Sequence, residues 1–201
     1  MNDKMQVARS AAEEALGNED KFLQLIEALS GSSRRARQSA ASALSILAKE
    51  HVDLLLPYGD KVVDALNRPE AQTRWECFEV MTALVDQDSR LCDKAVPEAE
   101  GSLFDEDSGL VRLAAMRFLC KLGATTESRS ERVWPLIDEA IQCYHGDYEF
   151  QDMLGAVDDF AAGKLSARVK GELASRMSFD AANGKGALKR RAQQIVERVQ
   201  A

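Results

Sequence analysis

Residues 97–122 read PEAEGSLFDEDSGLVRLAAMRFLCKL. The second half of this stretch decides the fold. Val111, Ala115, Phe118, Leu119 and Leu122 recur at the i, i+4, i+7, i+8, i+11 spacing of one helix face. Ahead of them the segment DEDSG supplies residues that cap helices and make tight turns. Further upstream Pro97 falls at the start of a first helix, where proline is expected to kink the chain. The stretch therefore predicts helix, turn, helix.

The same pattern returns along the chain. Arg37 opens RQSAASALSIL, Arg74 opens RWECFEVMTAL and Arg112 opens RLAAMRFLCKL, at spacings of 37 and 38 residues. Pro57, Pro97 and Pro135 recur at 40 and 38. A fixed period of this length means stacked supersecondary units. The apolar face is Ala36, Ala40, Ala43, Leu44 and Leu47 in the first unit. It is Cys77, Val80, Met81 and Leu84 in the second, then Met153, Ala156, Val157 and Phe160 in the fourth. The fifth supplies Leu188, Ala192, Ile195, Val196 and Val199.

The expected fold is all-α: a right-handed superhelix of about five helix pairs forming one domain over residues 1–201. The units are 19–50, 51–88, 89–125, 126–163 and 164–201. A capping helix over 3–16 precedes them, its apolar face being Val7, Ala8, Ala11 and Ala15. A second apolar stripe predicts contact between units along Gln38–Trp75–Leu113, Ala41–Phe78–Met116 and Ser45–Thr82–Cys120. An isolated helix pair has no use for such a flank, whereas a stack buries it.

These residues resemble HEAT repeats of the armadillo-type helical superfamily over about 185 residues. Residues 97–122 carry the resemblance best, with Pro97, the turn aspartate Asp107 and the Val111-Arg112 pair. The first unit keeps Arg37 but has Ser32 and Ser33 in the turn. The second keeps Arg74 behind Thr73, the fourth has Glu149-Phe150, and the fifth has Leu188-Lys189. The resemblance implies a HEAT-like solenoid, and turn aspartates and helix arginines that form a hydrogen-bonding ladder between neighbouring units. It also implies a scaffold that binds other proteins along a curved surface. A minority of such folds bind nucleic acid, as alkylation-repair DNA glycosylases do, and that is the alternative reading.

Composition narrows the function classes. The chain has 26 Lys+Arg against 33 Asp+Glu, a net charge of -7, which opposes a general nucleic-acid or anionic-membrane binder. The four cysteines, Cys77, Cys92, Cys120 and Cys143, form no CxxC pair. The N-terminal residues are charged and amphipathic and lack an apolar signal core, so a cytoplasmic protein with free thiols is expected. No apolar run reaches the ~18 residues of a membrane span. His51 and His145 stand alone, and no P-loop, GxSxG or HExxH motif occurs. No catalytic residue, metal or cofactor is therefore expected.

The candidate sites are surfaces. Counting outward positions on the second helices gives three rows: Ser39, Glu76, Ala114, Asp152 and Arg191; Ser42, Glu79, Arg117, Gly155 and Gln194; Ile46, Ala83, Lys121, Asp159 and Arg198. Glu76, Glu79, Arg117, Lys121, Asp152 and Asp159 are the expected partner-binding charges, around a floor of Ala83, Ala114 and Gly155. Opposite charges fall on adjacent units at Glu79 and Arg117, Lys121 and Asp159, and Asp159 and Arg198. Either they satisfy one another on a solvated face, or they rim a groove for a peptide or helix carrying both signs. The basic end, Lys189, Arg190, Arg191 and Arg198, is a second candidate surface for an acidic partner. Tyr144, Tyr148 and Phe150 either seal a helix junction or anchor a partner together.

Overall fold

The computed structural model describes residues 2–200, and among them every regular element is helical. In chain order the α-helices are α1 (Asn2–Leu16), α2 (Glu19–Ala28), α3 (Arg34–Leu47), α4 (Gly59–Ala65), α5 (Ala71–Leu84) and α6 (Ser89–Cys92). There follow α7 (Val96–Leu103), α8 (Gly109–Gly123), α9 (Glu127–Cys143), α10 (Phe150–Ala161), α11 (Ala167–Asn183) and α12 (Gly186–Gln200). Short 3-10 segments, Val52–Tyr58 and Asp93–Ala95, lead into α4 and α7. The chain divides into two compact units, Met1–Glu98 and Ala99–Ala201.

Local chemistry sets the helix starts. Asn18, Ser33, Ser108, Thr126 and Ser166 each accept a hydrogen bond from the backbone N–H three residues on. Such a bond satisfies one of the orphan donors at a helix start. Glu70 and Glu149 occupy the same position before α5 and α10 but make no capping bond. Their carboxylates are engaged elsewhere.

In the first unit α1, α3 and α5 pack side by side, with α2 against α1 and α3. The 3-10 turn and α4 pack against α5. In the second unit α8, α10 and α12 lie side by side, with α9 against α8 and α10 and α11 against α12 and α9. Each unit is thus two layers of helices. The expected apolar faces are buried: Val111, Ala115, Phe118, Leu119 and Leu122 are all inaccessible, as are Val80, Met81 and Leu84. Ala41, Phe78, Met116 and Cys120 on the second stripe are buried too.

Three local expectations need correction. Ala36 is exposed, because it lies in the first turn of α3, where its N–H takes the Ser33 cap. Val7 is 58% exposed. Ala8 and Ala15 are buried as expected, with Ala12 beside them in place of Val7, and α1 packs against α3. The prolines also act differently. Pro57 and Pro97 lie where a 3-10 turn gives way to an α-helix, while α9 runs through Pro135 as one helix.

Candidate functional site

Two of the arginines behind the repeat, Arg37 and Arg112, bind neighbouring segments of the chain. Arg37 Nε donates to Glu70 Oε2 at 3.1 Å, its Nη2 donates to Glu70 Oε1, and its Nη1 donates to the Gly31 carbonyl at 2.7 Å. Arg112 repeats the arrangement with Glu149 at 2.8 Å and the Asp105 carbonyl at 2.8 Å. In these two rungs the carboxylates are glutamates just before the next second helix, Glu70 and Glu149. Within its turn, Asp105 Oδ1 accepts from the Asp107 N–H. The bond from Arg37 holds the Glu70 carboxyl below the usual carboxylate range, although burial pushes the other way.

In the first unit the predicted rows meet a cleft of about 400 Å³. One wall is apolar and comes from Val7, Ala8 and Ala11 on α1 with Leu25 on α2. The other is polar: Arg35, Gln38, Ser39 and Ser42 on α3, and Gln72 on α5. Glu76 lies beside it and accepts from Ser42 Oγ at 3.1 Å and from Ser45 Oγ. Gln72 Nε2 donates to Ser42 Oγ at 3.0 Å. Glu76 is thus tied into α3 and is only half-exposed, as is Glu79.

In the second unit Arg117, Lys121, Asp152 and Asp159 are exposed, but Ala114 is buried. Ala114 cannot be groove floor, because α8 is covered on most of its circumference. Gly155 keeps open space above it: a Cβ there would meet nothing within 4 Å.

The basic end is partly occupied. Arg191 donates to Asp158 at 2.9 Å and Arg198 to Asp158 at 2.6 Å, so the direct partner of Arg198 is one residue before the Asp159 expected. Asp158 is 5% exposed, a buried carboxylate between α10 and α12 that sequence counting passed over. Lys189 Nζ donates to the Ala182 carbonyl, while Arg190 is exposed. The three aromatics separate. Phe150 is buried, the Tyr144 hydroxyl donates to the Leu103 carbonyl at 3.0 Å, and Tyr148 is fully exposed. His145 is not isolated either: its Nε2 lies 3.2 Å from both oxygens of Asp180 on α11. Asp180 is buried, and no motif in the sequence links the two residues.

Among the described residues no group of three or more His, Cys, Asp or Glu could hold a metal ion, and no helix is long and apolar enough to cross a membrane. The geometry gives no support to a glycosylase-like nucleic-acid site. Arg191 and Arg198 are held by Asp158, and Trp134 is buried with its Nε1 donating to Glu172.

Two layers of paired helices with a ladder of arginines define a helical-repeat protein, and comparison with solved structures agrees. A designed armadillo repeat protein in complex with the peptide (KR)4 matches 98% of this chain and 90% of its own, with TM-score 0.76 at 15% identity. Computationally designed armadillo repeat proteins for modular peptide recognition match 97% and 91%, with TM-score 0.75 at 15% identity. A HEAT-like repeats protein from the archaeon Thermococcus onnurineus NA1 matches 99% and 96%, with TM-score 0.59 at 14% identity. No protein-family profile matches the chain, and no curated protein matches it in sequence. The fold is that of the armadillo/HEAT helical repeats.

Proposed function

We propose that the chain is a non-catalytic scaffold that binds a peptide or protein segment along the exposed faces of α3 and α5 in the first unit or of α8, α10 and α12 in the second, or at its basic end. The observation that carries this reading is the cleft of about 400 Å³ where α1, α3 and α5 converge, with one apolar wall and one hydrogen-bonding wall. Its volume falls in the range of small ligand sites. Structures of the same fold include one bound to a peptide, which supports the same kind of ligand here. Glu76, Glu79, Arg117, Lys121, Asp152 and Asp159 are the proposed contact charges, with Lys189, Arg190, Arg191 and Arg198 at the end of the chain.

A displayed random-peptide library selected against the immobilised protein tests this. The expected result is a set of related peptides. Their binding falls in at least one of four variants: Ser39→Trp in the cleft, Glu79→Lys, Arg117→Glu with Lys121→Glu, or Lys189→Ala with Arg190→Ala. A selection that enriches nothing overturns the peptide reading. Peptides that bind all four folded variants unchanged overturn the placement.

A further inference from the structure

We infer that the cleft between α1 and α3 receives a peptide segment that sets an aliphatic side chain beside a carboxylate. This deepens the scaffold reading above and rests on it. The apolar half follows from α1. Val7 leaves more than half its surface in water beside Ala8 and Ala11, and Leu25 closes the wall only in part. An exposed valine over small neighbours is a packing surface without its counterpart, and an aliphatic side chain fills it at little cost in polar desolvation.

The acidic half follows from Arg35. Among the described residues it is the one formally charged residue lining the cleft, it is exposed, and it has no carboxylate partner there. It also sits in the first turn of a 14-residue helix that carries no acid there. A cation at that end opposes the helix dipole, so Arg35 is not placed there to hold α3 together. Dipole and guanidinium together favour an anion in the cleft.

The remaining polar wall suits a peptide backbone. Ser42 already accepts from Gln72 and donates to Glu76, while Gln38 and Ser39, which carry an amide and a hydroxyl, also line the cleft. Glu76, beside the cleft, has both oxygens turned to the serines of α3. The cleft thus selects a charge sign opposite to that of the (KR)4 peptide bound by the designed armadillo repeat protein.

Three blocked probe peptides, acetyl-Ser-Leu-Xaa-Leu-Ser-amide with Xaa as Glu, Gln or Lys, separate the outcomes. Each is titrated into the 15N-labelled full chain and followed by amide shifts. The expected result is a Kd on the order of 1 mM or tighter for the Glu peptide. The shifts centre on Gln38, Ser39 and Ser42, and the Lys peptide leaves them unmoved. Arg35→Gln, an exposed change, weakens the Glu peptide at least about fivefold. Val7→Asp weakens it through the other wall. Equal binding of the Gln or Lys peptide, shifts outside the cleft, or an unchanged Kd in Arg35→Gln overturns the inference while the scaffold reading stands. No binding by any of the three also overturns it, and the scaffold reading then falls only if the library selection is empty as well.

Discussion

At the scale of single residues, the Arg37–Glu70 pair shows how the repeat is fastened. The Glu70 side chain is 4% exposed, and its carboxyl is held below the usual range by the hydrogen bond from Arg37. A carboxylate whose folded pKa is depressed stabilises the fold above its unfolded value and loses that contribution as pH falls through the folded value. Glu70→Gln should therefore lower the urea midpoint at neutral pH, and the gap to the parent should close as pH drops below about 4. A gap that persists undiminished at low pH would mean that the carboxylate's charge is not what matters. Packing is as local. A Cβ on Gly123 would stand 2.4 Å from Val133 Cγ2 and 2.9 Å from Phe160 Cε2, both in buried side chains. Gly123→Ala should cost about 1–3 kcal/mol by overpacking, read from denaturant unfolding. Phe118→Ala, at a wholly inaccessible site, should cost ~3–5 kcal/mol by opening a cavity.

Among the elements, α12 depends on one carboxylate. Asp158 on α10 takes both Arg191 and Arg198, side chains seven residues apart on a single face of α12. Asp158→Ala should raise amide exchange across 186–200 well before it changes α8. Uniform protection in the variant would show that apolar contacts through Ala192, Ile195 and Val199 suffice alone. α10 offers the opposite case. Gly155 is interior to that helix, and nothing occupies the space its Cβ would enter, so Gly155→Ala should raise stability by about 0.5–1 kcal/mol in thermal unfolding. Helices of this kind were legible from periodicity, since the faces around Phe78 and Phe118 are buried as the spacing predicts. The exceptions have a physical cause. A 3.6-residue period locates a face to within one residue at best, which is the error that separates Asp159 from Asp158 and Ala11 from Ala12. Nor does a period tell whether a charged residue on that face turns towards solvent or towards its neighbour.

For the whole molecule, repetition made the fold readable and the site obscure by the same means. Every unit restates its core, so Arg37, Arg74 and Arg112 announce the architecture, while a ligand is distinguished only by what departs from the repeat. The cleft was not legible because it needs Val7, Arg35 and Gln72 together, and no spacing rule joins residues from α1, α3 and α5. The cysteines report on cooperativity at this scale. Cys77, Cys92 and Cys120 are buried and Cys143 is exposed, and burial pushes the Cys77 and Cys120 thiols well up. A thiol reagent should modify one cysteine quickly in the native protein and all four in denaturant. Repeat proteins are held by nearest-neighbour contacts, so opening need not be global. Cys77 and Cys92 share the core of the first unit, where the Cys92 thiol lies 3.6 Å from the Met81 carbonyl. They should therefore gain reactivity at one common denaturant concentration. Pulse labelling followed by peptide mass analysis reads each site separately, and a clear offset between those two would show that Met1–Glu98 does not open as a single block.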